Sequence, residues 1–162
     1  MLSSITKTIN FLNKLKKEGK LEFVEPSEEM KQSYTLKSES NLISAKILLE
    51  RNRFEESVGL AYYSMYHLLT ALLFKVGIKS ENHSASIILL KGLFGQDNKD
   101  IFSAKKERID KQYYVDFVIT REDAEDIIRT AESFNSKISD FISKLNNDDV
   151  RKYREEFIVL IS

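Results

Sequence analysis

The sequence predicts an all-α protein, an antiparallel helical bundle with an N-terminal helical extension, on three observations. Apolar residues recur at spacings of three and four through most of the chain, the period of amphipathic helices. One proline and five glycines are too few breakers for a turn-rich β protein. Helix start and stop residues stand where the periodic stretches begin and end, notably Ser27, Gly77 and the Thr120/Asp123 pair. The 162 residues fit one domain by the soft prior of ~150 residues per domain. That is enough chain for a hydrophobic core without covalent staples. Residues 1–24 are expected as the helical extension and residues 25–162 as the bundle.

The elements follow in order. Ile5, Ile9, Phe11 and Leu15 predict a short first helix that ends near Gly19 with lysines in its last turn. Pro26-Ser27 opens a second helix to about Glu50: Ser27 caps it, Glu28 and Glu29 suit its positive end, and Leu42, Ala45, Leu48 and Leu49 form its inner face. A third runs from about Arg53 to Val76 and stops at Gly77, which can adopt the left-handed cap. A fourth covers roughly Asn82 to Phe94, with Ile87, Leu90 and Phe94 inward. "FGQDNKD" is a loop, and a more polar fifth helix follows through "IFSAKKERIDK". The sixth starts at the Thr120/Asp123 capping box and keeps its period through Ala124, Ile127, Ile128, Ala131, Phe134, Ile138, Phe141 and Leu145. A last helix, Asp148 to Ile161, carries the apolar tail "FIVLIS", suited to docking on the body or on another chain.

Composition narrows the function. With no cysteine, the chain has no disulfide, thiolate metal site or cysteine nucleophile, which fits a cytoplasmic location. Lys+Arg and Asp+Glu both number 25, so the net charge is zero and any nucleic-acid role needs a local basic patch. The opening residues lack a signal-peptide pattern. Val58 to Phe74 is uncharged, but its three tyrosines, His67 and Thr70 argue for burial in protein rather than in a membrane.

That stretch belongs to "AYYSMYHLLTALLFKVGIKSENHS", where the chemistry-bearing residues gather. On a helix turning ~100° per residue, Tyr62 sits over Tyr66 and Tyr63 over His67. Gly59, Tyr63, Tyr66, Thr70 and Phe74 make a stripe beside the aliphatic one of Val58, Ala61, Met65, Leu68, Leu69 and Leu72. A helix apolar on nearly all sides must be covered twice, by another helix or by a partner subunit, and a symmetric homodimer is the commonest partner. Tyr62, Tyr63, Tyr66 and His67 are therefore expected as structural or interface residues. His83 is the catalytic candidate: it lies past the Gly77 turn where a helix begins, and helix amino-termini attract phosphate while imidazole exchanges protons near neutral pH. Two histidines this far apart lack the spacing of a metal site on one helix, and no metal or cofactor is expected. Neither a Gly-rich phosphate loop, a GxSxG elbow nor a His-Glu-x-x-His helix occurs.

The run Ala61, Tyr62, Tyr63, Tyr66 and His67, then Gly77, then Ser80 and His83, resembles the HEPN family (higher eukaryotes and prokaryotes nucleotide-binding). Arg108 with Tyr113 or Tyr114 is similar to the family's Arg-x-x-x-Asp-Tyr loop, and the likeness extends from about Ser38 to Leu145. The resemblance implies a dimerising helical bundle that binds nucleotide or RNA, with Lys79, Ser80, Asn82 and Arg108 as ligand-binding residues. It also implies either a minimal nucleotidyltransferase as partner or metal-independent ribonuclease activity of the toxin or defence type. In that chemistry an arginine separated from a histidine by four to six intervening residues steadies the scissile phosphate while the histidine moves protons. Here Val76, Gly77 and Ile78 precede His83 at those positions, and Leu60, Ala61 and Tyr62 precede His67. The expectation is thus a non-catalytic nucleotide-, RNA- or partner-binding module. The alternatives are a divergent ribonuclease using His83 with Lys79 or Arg108, and an oligomeric scaffold.

Overall fold

The computed structural model describes the backbone of residues 2–113 and 118–162 and the side chains of residues 3–108 and 118–162. Among the described residues the elements run α1 (Leu2–Lys17), β1 (Leu21–Phe23), α2 (Glu28–Glu50), α3 (Phe54–Val76), β2 (Ile78–Ser80), α4 (His83–Gly92), α5 (Lys99–Tyr113), α6 (Arg121–Lys144) and α7 (Asn147–Leu160). The all-α bundle expected from the sequence is the fold observed, apart from the two short strands.

Local chemistry sets the helix ends. The Ser27 hydroxyl accepts from Met30 N, and the reciprocal Thr120/Asp123 capping box is formed at α6. A second box, Asn146 with Asp149, starts α7. Asn52, at φ 58°, makes the tight reversal from α2 into α3, a left-handed position that asparagine tolerates. The two helices consequently run antiparallel and pack along their length. Small hydroxyl residues allow the close approach: Ser38 Oγ donates to Ser64 O at 2.6 Å and Ser64 Oγ returns a bond to Ser38 O at 2.8 Å. Ser57 Oγ likewise donates to Ala45 O at 2.7 Å, so these buried hydroxyls are satisfied.

α3 is the central rod. It meets α2 and α6 most extensively and also touches α4, α5, α7 and β2. Its whole aliphatic stripe is buried, and so are Gly59, Tyr66 and Thr70 of the second stripe. Cover for that second face comes from this chain's own α4, α5 and α2. It is long and apolar enough to cross a membrane, but 78% of its apolar window is buried inside the protein.

The strands were not anticipated. β1 pairs antiparallel with β2 in the register Leu21↔Ser80, Glu22↔Lys79 and Phe23↔Ile78. Three residues per strand are too few for a period-two signal to register in the sequence. Through this pairing residues before Pro26 contribute to the same core, with Leu12, Leu15 and Leu21 all buried. Leu12 is fully buried, whereas Ile5 is 55% exposed. Arg154 of α7 clasps the junction: Nη1 donates to Val24 O at 2.7 Å and Val76 O at 2.9 Å, and the guanidinium stacks 3.9 Å from the Phe23 ring centre. The apolar tail is split, Phe157 and Ile161 docking on the body while Ile158 and Val159 face outward.

Candidate functional site

The site forms where the start of α4 and one face of α5 close on the tyrosine stripe of α3. Gly77, at φ 85°, caps α3 in the left-handed conformation and turns the chain into β2. Two residues after β2, Asn82 caps α4, its Oδ1 accepting from Ala85 N at 2.9 Å. His83 is therefore the first residue of α4, directed back at α3. Its ring stacks on Tyr66 with centroids 3.7 Å apart and an 18° interplanar angle, and its Nδ1 lies 2.7 Å from the Tyr62 hydroxyl.

Burial pushes the Tyr62 phenol above its usual range, so the hydroxyl keeps its proton. The imidazole is the natural acceptor for that proton, because a buried hydroxyl without an acceptor is costly. Nδ1 then accepts, and Nε2 carries the hydrogen of a neutral ring. Burial, helped by the charges of Arg108 and Lys105, lowers the His83 pKa to about 4. At neutral pH this imidazole is an uncharged donor held in one tautomer by Tyr62.

Arg108 arrives from α5. Its guanidinium carbon lies 4.7 Å from the Tyr63 ring centre and 5.6 Å from that of Tyr62, and Nη2 donates to the Tyr63 hydroxyl at 3.0 Å. Nε is buried and has no hydrogen-bond partner among the described residues. Among the described residues the Tyr63 hydroxyl is the one acceptor this cation meets. Arg108 and His83 thus share the rings of Tyr62 and Tyr63, one bringing a positive charge that no carboxylate among the described residues pairs with, the other a fixed N–H. Such a pair suits the oxygens of a phosphate.

The other sequence-selected residues fall into three places. Ser80 and Asn82 hold the turn itself: Ser80 Oγ takes a bond from Ser86 Oγ at 2.9 Å and donates to Asn82 O at 3.1 Å. Lys79 turns to the opposite side of β2, where Glu22 at 3.3 Å and Glu81 at 3.4 Å neutralise it. His67 lies beyond Tyr63, stacked on it at 5.7 Å, with Nδ1 2.7 Å from Asn41 Oδ1. Its pKa is also lowered to about 4, by burial first and then by Lys37 and His83. The side chains of Tyr113 and Tyr114 lie outside the described residues.

Two further contributors escaped the sequence reading. Lys105, one turn before Arg108, donates from Nζ to Ser84 Oγ at 2.7 Å, beside His83. Asn41 orients His67 from α2. A spacing of three between Lys105 and Arg108 was a readable sign that both share one helix face.

Comparison with known proteins shows what the chain is similar to. A family model described as HEPN domain matches residues 32–141. A Methanocaldococcus jannaschii protein bearing the name "Putative toxin MJ0605" is 31% identical over 115 residues, 67% of this chain and 85% of that protein. The "UPF0332 protein PH1297" of Pyrococcus horikoshii is 44% identical over 50 residues, 31% of this chain but 35% of that protein.

Proposed function

The chain belongs to the HEPN family, and on that premise we propose that it binds phosphate groups of RNA or of a nucleotide in the corner formed by His83, Arg108 and Tyr63, without cutting the strand. The observation that carries this reading is Arg108: a half-buried guanidinium whose one acceptor among the described residues is a neutral phenol, set beside the Nε2–H of His83. A polyanion supplies what both groups lack. The neutral His83 ring, with Nδ1 already bonded to Tyr62, is arranged to donate a hydrogen bond rather than to take a proton. That arrangement supports binding over general-base catalysis.

One observation favours a second reading, metal-independent cleavage. The cation missing from the sequence before His83 is supplied in space by Arg108. A phosphate bound between them would also raise the imidazole pKa and so restore proton exchange. The likeness to a protein named as a toxin supports a role in a toxin-type pair; a minimal nucleotidyltransferase and a second copy of this chain are the partners we propose from the family resemblance.

Fluorescence anisotropy with a labelled single-stranded RNA in EDTA, run beside a cleavage gel, separates these readings. Binding that Arg108→Ala and His83→Ala both weaken, with intact RNA on the gel, is expected. RNA cut by the wild type and spared by a folded His83→Ala variant would instead make the protein a ribonuclease. No binding at all would end the phosphate reading.

A further inference from the structure

We propose that the groove between α4 and α5 is a subsite for a single-stranded oligoribonucleotide, in which Lys105 takes a second backbone phosphate and Phe102 stacks a base. The inference rests on the phosphate reading of the Arg108 corner and extends it from a point to a track.

The groove encloses about 370 Å³ and is lined by Ile87, Ile88 and Lys91 of α4 with Asn98, Phe102 and Lys105 across from them. It adjoins the corner directly, because Ser84, next to His83, is also in its wall and receives the Lys105 bond. Phe102 is 60% exposed, an unusual position for a phenylalanine that the core does not use. Phe102, Lys105 and Arg108 follow each other at intervals of three, so they form one stripe that shifts only ~60° per step. Over this stripe the helix rises ~9 Å at ~1.5 Å per residue, so a single phosphate at Arg108 leaves Phe102, at the far end, unused.

Charge is sorted the same way. Asp100 and Glu107 fall on the opposite side of α5 by the same rotation, and none of the residues lining the groove is acidic. A chain with zero net charge nevertheless presents Lys91 and Lys105 along one channel with an aromatic ring and an aliphatic wall, and Arg108 stands one turn beyond Lys105 on α5. Cations that track a backbone beside rings that stack bases are the chemistry of single-strand binding. Asn98 helps hold the wall, its Nδ2 donating to Ile87 O at 2.8 Å.

The test compares an unstructured single-stranded RNA of about 10 nucleotides with uridine monophosphate, on the full chain. Phe102→Ala, a surface change, is expected to weaken RNA binding by roughly 5- to 100-fold while leaving the mononucleotide affinity unchanged, and Lys105→Ala to weaken RNA binding by more than it weakens the mononucleotide. Lys105→Ala should also flatten the slope of log affinity against log salt by about 0.7. Arg108→Ala should weaken both ligands. If Phe102→Ala and Lys105→Ala leave RNA affinity at the wild-type value while Arg108→Ala still lowers it, the groove proposal is overturned and the corner stands. Equal affinity for the mononucleotide and the oligomer, or tighter binding of a duplex, overturns it as well. If neither ligand binds the wild type, the phosphate reading fails, and the subsite with it.

Discussion

The Tyr62 hydroxyl and His83 Nδ1, 2.7 Å apart, join the middle of α3 to the first residue of α4. This bond sets which nitrogen of His83 faces outward with a hydrogen. Tyr62→Phe keeps the ring in the core but removes the donor, leaving Nδ1 to seek another partner. Stability should fall by about 1 kcal/mol, the usual net worth of such a bond. Nitrogen-15 NMR of the imidazole should show the fixed Nε2–H tautomer in the wild type and a mixture in Tyr62→Phe. A mixture already present in the wild type would contradict the donor role.

The two histidines make stability depend on acid. Each titrates near 4 when folded against 6.5 for the unperturbed ring. Between these values the unfolded chain binds more protons than the folded one, so stability is lost as pH falls from 6.5 toward 4 and is level above that window. Both rings are only half-buried, and solvent screening keeps the effect modest. Melting temperatures from pH 7 to 4 should decline, and His67→Gln with His83→Gln should reduce the decline. Bound RNA should raise the His83 pKa and leave that of His67 in place.

Gly77 is required twice over. Its φ of 85° strains any other residue, and a Cβ there would collide with Arg154 Nη1 and with Val24 O. Gly77→Ala should cost roughly 1–3 kcal/mol from the backbone conformation alone, before the displaced Arg154 is counted. Urea unfolding of Gly77→Ala, Arg154→Ala and the double variant measures the coupling. The double variant should be more stable than the sum of the single losses predicts, because the arginine that the methyl displaces has gone. Strict additivity would show that the two do not meet.

Arg108→Lys keeps the charge but not the planar fork that reaches Tyr63 while lying over its ring. RNA affinity should fall roughly tenfold, a loss of about one charge-assisted hydrogen bond. An unchanged affinity would mean that Arg108 acts as a point charge only.

Thr120→Ala removes the hydroxyl that accepts from Asp123 N at 3.1 Å. The variant should lose roughly 0.5–2 kcal/mol, with Thr120→Ser recovering most of it. RNA binding should not change, since the cap stands apart from His83 and Arg108. A loss of binding at full stability would place the start of α6 in the site.

The sequence by itself determined the helices and the family. Periodicity, the Ser27 and Thr120 caps and the Gly77 stop are local features, set by neighbours within a turn, and each is where the pattern put it. The tyrosine ladder of α3 was legible for the same reason. Only the tertiary structure decided which cation His83 meets. Lys79 is four residues before it in the chain, yet strand alternation turns it to Glu22 and Glu81. Arg108 is far off in sequence, yet α5 packs it onto Tyr63. The β1–β2 pairing and the Arg154 clasp were hidden likewise, because three-residue strands and a lone surface-type arginine carry no periodic signal. Their place follows from which backbone groups remain unsatisfied once the helices have packed.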